Sequence, residues 1–98
     1  MNIRVLRFVW QDIADACSYY DNNKAGLSDE FTQQVERALA LVLQFPLAAP
    51  AVTKRLRKKR IGQFPYSIVY RADPDMIVVF GIVAEQKQPD YWLNRRES

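Results

Sequence analysis

The sequence predicts an α+β domain in which a helical hairpin packs on an antiparallel sheet of about four strands, in the order β-α-α-β-β-β. Three observations carry this. Residues alternate with a period of two near the amino terminus, two successive segments then follow a helical period, and the period returns to two through the second half. At 98 residues the chain has room for one core, so residues 1–98 are read as a single domain.

The first strand spans residues 3–9, where Ile3, Val5 and Val9 alternate with Arg4, Leu6 and Phe8. From Trp10 the period changes. Trp10, Ile13, Cys17 and Tyr20 recur at steps of three or four with acidic residues between them, which predicts an amphipathic helix to about Asp21. Asn22, Asn23, Lys24, Ala25 and Gly26 break it. Ser28 is a suitable N-cap for a second helix, and Asp29 and Glu30 stand in its first turn, where the helix dipole favours negative charge. The predicted apolar face of that helix is Phe31, Val35, Ala38, Leu39, Val42 and Phe45, and Pro46 ends it.

Residues 46–50, rich in Ala and Pro, form a loop. The basic run at 54–60 is read as a strand with Leu56 and Ile61 as inward contacts. Phe64, Tyr66, Ile68 and Tyr70 then alternate with smaller or polar residues, as in a strand with one face on a core, and Pro65 places its start at an edge or bulge. Asp73, Pro74 and Asp75 make a turn. The near-continuous apolar run from 76 to 84 is expected of a central strand covered on both faces.

Composition excludes several kinds of chemistry. The chain has no histidine, which removes His-based zinc sites, Ser-His-Asp triads and an imidazole base. The single cysteine, Cys17, cannot form an intramolecular disulfide and reads as a buried small hydrophobe on a helix face. The charged amino terminus does not read as a signal peptide, and no apolar window has the length to span a bilayer, so a cytoplasmic protein without a membrane partner is expected.

Charge is distributed unevenly. The formal charge is +3, yet residues 54–60 read KRLRKKR, six basic positions in seven. Positions 11–36 carry Asp12, Asp15, Asp21, Asp29, Glu30 and Glu36 against Lys24. The molecule is expected to have one strongly positive edge, attractive to phosphate backbones or acidic protein segments through a salt-screened force. The plainer reading of such a run is a solvated strand kept soluble by long side chains. Trp10, Phe31, Tyr66 and Tyr70 offer stacking faces in principle, but their periodicity reads as core.

The chain resembles the RelE/ParE family of toxins from bacterial type II toxin–antitoxin modules. The features that carry the resemblance are Tyr19-Tyr20, Gly26-Leu27, Phe31 with Val35, Pro46, the run from Phe64 to Arg71, the apolar strand 77–83, and Pro89-Asp90-Tyr91-Trp92 with Arg95. The resemblance covers roughly residues 8–95. It implies a toxin silenced by a cognate antitoxin in a hetero-oligomer, with no cofactor and no metal. Two activities are known on this scaffold: ribosome-dependent cleavage of messenger RNA in RelE-type members, and non-enzymatic inhibition of DNA gyrase in ParE-type members.

Metal-free RNA cleavage needs a proton acceptor, a proton donor and cations around the phosphorus. RelE-type enzymes place an Arg just after the aromatic of the third strand and a basic residue just after the fourth. Here Ser67 follows Tyr66, and Glu85-Gln86 follow the fourth strand. The segment 85–88 also lacks the His and Arg residues common in the other kind. The ribonuclease reading would rest on Glu85, Tyr91 and Arg71 as catalytic candidates. The favoured reading is gyrase inhibition by binding, through Arg55, Arg57, Lys58, Lys59, Arg60, Tyr91, Trp92 and Arg95; the alternatives are the ribonuclease and an inactive family member. Tyr91 and Trp92 read either as an anchor for the carboxy-terminal tail or as part of the target-binding surface.

Overall fold

The computed structural model describes residues 2–85. Its elements are β1 (Asn2–Val5), α1 (Arg7–Asn23), α2 (Leu27–Gln44), β2 (Arg57–Arg60), β3 (Tyr66–Ala72) and β4 (Met76–Ala84), in the order expected from the sequence. The sheet order is β1-β4-β3-β2. The apolar run that forms β4 is therefore central, and six of its residues from Ile77 to Val83 are core side chains.

The sheet is mixed, where an all-antiparallel sheet was expected. β2, β3 and β4 pair antiparallel, but β1 pairs parallel to β4, with Asn2 opposite Met76 and Val5 opposite Val79. Alternation of side chains is the same in both kinds of ladder, so it says nothing of direction. Direction follows from the route of the chain: it leaves β1 through the helical hairpin, returns at the far edge as β2, and reaches the partner of β1 only with the last strand.

β1 is shorter than its pattern suggested, and α1 begins earlier. Leu6, fully buried, donates its backbone N–H to Val79 O at 3.2 Å and occupies the N-cap position without a side-chain cap. The buried stripe of α1 is Val9, Ala16 and Tyr20, with Ile13 and Cys17 partly covered. Trp10, expected on that face, is 62% exposed. Val9, about 100° around the helix from Trp10, takes the inward position in the first turn, while Tyr20 keeps the place expected of it. Cys17 is half-buried, its Sγ 3.8 Å from Thr32 Oγ1 on the facing helix.

The second helix is capped by a backbone turn and not by Ser28. Gly26 occupies the N-cap position with φ of 85°, a left-handed conformation that glycine adopts without steric cost. Ser28 lies inside the first turn, and its carbonyl accepts the Thr32 hydroxyl at 2.9 Å. Phe31, Val35, Ala38 and Val42 form the buried stripe. Phe45, expected to extend it, is 55% exposed, because the helix ends at Gln44 and Phe45 turns away at the C-cap.

Between the helices and the sheet lies an aromatic cluster. Tyr20, Phe31, Phe64 and Tyr66 have ring centroids 5.0–6.0 Å apart, mostly edge to face. Such pairs contribute about 0.5–1.5 kcal/mol each beyond their area. Tyr70, fully buried, reaches the end of α2, where its hydroxyl donates to Pro46 O at 2.8 Å.

A register shift between Val69 and Tyr70 leaves Phe80 as an extra residue on β4. A bulge of this kind bends the strand and raises its twist. Past the bulge, Asp12 Oδ2 on α1 accepts the Ile82 backbone N–H at 3.1 Å, tying the first helix to the central strand.

Candidate functional site

The basic run 54–60 was expected to be one strand. Only Arg57–Arg60 is strand, at the outer edge of the sheet. Residues 54–56 belong to a turn in which Thr53 Oγ1 accepts the backbone N–H groups of Arg55 and Leu56 at 3.2 and 3.0 Å. The loop before the turn folds back on β2. Val52 N–H donates to Leu56 O and Lys58 N–H to Pro50 O, forming an isolated antiparallel bridge between Ala51 and Arg57. The first half of this edge is thus covered by its own loop, which protects it from unwanted strand pairing.

The basic side chains divide into two groups. Arg57 is partly structural: its Nη1 donates to Leu47 O at 3.1 Å and to Ala49 O at 2.7 Å, fastening the loop after α2 to the strand. Beyond it, Lys54, Arg55, Arg57 and Arg71 line an open cleft of about 380 Å³ with Leu47, Ala72 and Asp73. Arg71 is clamped by Asp73 through Nε and Nη2 at 2.8 and 2.9 Å, and its guanidinium lies 5.6 Å from the Phe80 ring centroid. That hydrogen bond from Arg71 holds the Asp73 carboxyl below its usual range, with the charges of Arg71 and Arg55 acting in the same direction.

The second group lines a different surface. Lys58, Lys59 and Arg60, with Ser67 and Tyr70, border an apolar groove of about 450 Å³ whose other wall is Leu41, Val42, Phe45, Ala48, Ala49, Pro50 and Val52. Leu41, Phe45 and Val52 are exposed hydrophobic side chains. Together they form an exposed apolar patch beside the basic strand. Sequence reasoning missed this groove and the cleft; the available signal was Phe45 falling at the end of a helical period just before Pro46.

Two catalytic candidates sit apart from any proton-transfer geometry. Glu85 follows β4, where its N–H donates to Pro65 O at 2.9 Å and its Oε1 is ion-paired with Arg60 Nη1. Arg71 is engaged by Asp73. Ser67, at the position where RelE-type enzymes carry an Arg, is a buried strand residue 3% exposed. Tyr91, Trp92 and Arg95 lie outside the described residues. Among the described residues no group of His, Cys, Asp and Glu is arranged to hold a metal, and no helix is long and apolar enough to cross a membrane.

The fold is a helical hairpin on a four-stranded mixed sheet, with a cationic edge beside an apolar groove. Residues 3–89 match the family model described as the ParE toxin of the type II toxin–antitoxin system parDE, and the chain belongs to that family. Among solved structures it is similar to a chain of the chromosomal ParDE toxin–antitoxin system from P. aeruginosa, with a TM-score of 0.75 at 15% identity over 86% of this chain and 95% of that one. That likeness shows a shared fold. No curated protein sequence matches the chain.

Proposed function

We propose that this ParE-family toxin acts by binding DNA gyrase and not by cutting RNA, and that a cognate antitoxin silences it. The observation that carries the reading is the ion pair between Glu85 and Arg60. It turns the carboxylate that the sequence offered as a base candidate toward a cation of the same edge, in a contact open to solvent, and not toward a proton donor. With Ser67 buried in the sheet, the described residues offer cations and apolar surface but no acid–base pair. Those features suit recognition.

The groove bordered by Leu41, Phe45 and Val52 and rimmed by Lys58, Lys59 and Arg60 suits an antitoxin segment that alternates apolar and acidic residues. Apolar anchors would set the lifetime of that complex, and the charges its association rate. The gyrase reading is tested by titrating antitoxin-free protein into a plasmid supercoiling assay, resolved with and without detergent. Loss of supercoiling with linear or nicked product supports it. No effect from folded protein at micromolar excess, together with cuts in translated messages, overturns it in favour of the ribosome.

A further inference from the structure

We infer that the cleft lined by Lys54, Arg55, Arg57 and Arg71 is a phosphate-binding site that receives the backbone of a nucleic acid. The inference goes beyond the gyrase reading and does not depend on it, because it concerns this chain and nucleic acid alone. Four cations from a turn and two strands converge on a cleft of about 380 Å³ that contains one carboxylate. Among the described residues, Lys54, Arg55 and Arg57 have no carboxylate within ion-pair distance. Arg57 is already positioned, since its two bonds to carbonyls use Nη1 and leave the other nitrogens of the fork for a ligand. A guanidinium held in place loses less freedom on meeting a phosphate than a mobile one does.

Two features distinguish a phosphate backbone from an acidic peptide. The cleft walls hold little apolar surface, chiefly Leu47 and Ala72, whereas protein segments bind through buried apolar anchors. Those anchors are available in the neighbouring groove instead. Beyond Arg57, Lys58 and Lys59 of β2 carry positive charge onto the rim of the adjoining groove, about 7 Å further at strand spacing, while Arg60 is paired with Glu85. A single small phosphate has no use for that extension, but a polyanion with a charge about every 3.4 Å along each strand does. Asp73 stays ionised beside Arg71, so the phosphate is received at the Lys54, Arg55 and Arg57 end. Asp73 opposes binding there.

The test is fluorescence anisotropy of a labelled DNA duplex against the full chain, without gyrase, over a range of salt. The double substitution Lys54→Gln with Arg55→Gln should weaken binding by about tenfold at low salt and reduce the slope of log K on log salt by about two. Both side chains are exposed and neither makes a structural bond, so the fold is expected to persist, as circular dichroism would verify. Asp73→Asn should tighten binding several-fold. Lys24→Gln, on the acidic side of the molecule, should change it less than twofold. Overturning results are no duplex binding at low salt, or equal losses in the Lys24 and Lys54/Arg55 variants. Competition by inorganic phosphate or a mononucleotide as effective as unlabelled duplex would equally overturn it, assigning the cleft to a small phosphorylated ligand.

Discussion

The guanidinium of Arg57 donates to the Ala49 carbonyl at 2.7 Å, so a residue of the basic run holds the loop that walls the apolar groove. Arg57 thereby joins two surfaces, the cleft on one side and the groove on the other. Replacing it by Gln removes the bonds to Leu47 and Ala49 and should cost about 1–2 kcal/mol of stability. Lys58→Gln and Lys59→Gln should stay within about 0.5 kcal/mol of the parent. Denaturant unfolding of the three variants checks the difference; equal effects would show that Arg57 has no structural role.

Tyr20 should tolerate loss of its hydroxyl. The side chain is buried in the aromatic cluster, and its Oη has no hydrogen-bond partner among the described residues. A buried hydroxyl left unpaired is unfavourable, so Tyr20→Phe should leave stability unchanged or raise it by up to about 1 kcal/mol. Tyr70→Phe should do the opposite by about 1 kcal/mol, because it leaves the Pro46 carbonyl without its donor. Thermal unfolding of the two variants side by side measures the contrast.

Alkaline pH should destabilise the fold. Burial pushes the phenols of Tyr20, Tyr66 and Tyr70 above their ordinary value of 10.0. The folded state therefore keeps protons that the unfolded chain releases from pH 10 upward. Their stabilising contribution is complete below that pH and is lost as pH rises through the folded values. Unfolding followed by phenolate absorbance should show three tyrosines ionising together with loss of structure. Smooth titration of all tyrosines near pH 10 with the fold intact would contradict this.

Gly26 and Gly62 separate backbone strain from crowding. Both have positive φ, 85° and 52°. A Cβ at Gly26 meets nothing within 4 Å, so Gly26→Ala should cost about 1 kcal/mol through backbone conformation alone, and Gly26→Asn less. A Cβ at Gly62 would stand 2.7 Å from Gln34 Oε1, the far end of a flexible side chain that can swing aside. Gly62→Ala should therefore cost little more than Gly26→Ala, and Gln34→Ala should remove the excess.

Glu85→Gln should leave growth inhibition intact and change stability by less than about 1 kcal/mol, since its pair with Arg60 is solvent-exposed on both sides. Viability counts after induction, without antitoxin, measure the first effect. Loss of toxicity with the fold unchanged would make Glu85 a working residue and revive the ribonuclease reading.

Much of this architecture was legible in the sequence because it depends on neighbours along the chain. Periodicity located both helices, the hairpin break and β4, and an apolar run without alternation marked β4 as the strand covered on both faces. The run at 54–60 marked where positive charge concentrates, though only Arg57–Arg60 of it is strand. What only the tertiary structure decided depends on how distant segments close on one another. The parallel pairing of β1 follows from the path around the sheet, and the exposure of Trp10 from how α1 docks, with Val9 inward in its first turn. The separation of the basic residues has the same origin. Alternation along a strand cannot say that Arg57 meets the Ala49 carbonyl, or that Arg71, fourteen positions later, joins Lys54 and Arg55 in one cleft. Those juxtapositions arise from β2–β3 pairing and the folded-back loop, and so do the groove and cleft that a partner would meet.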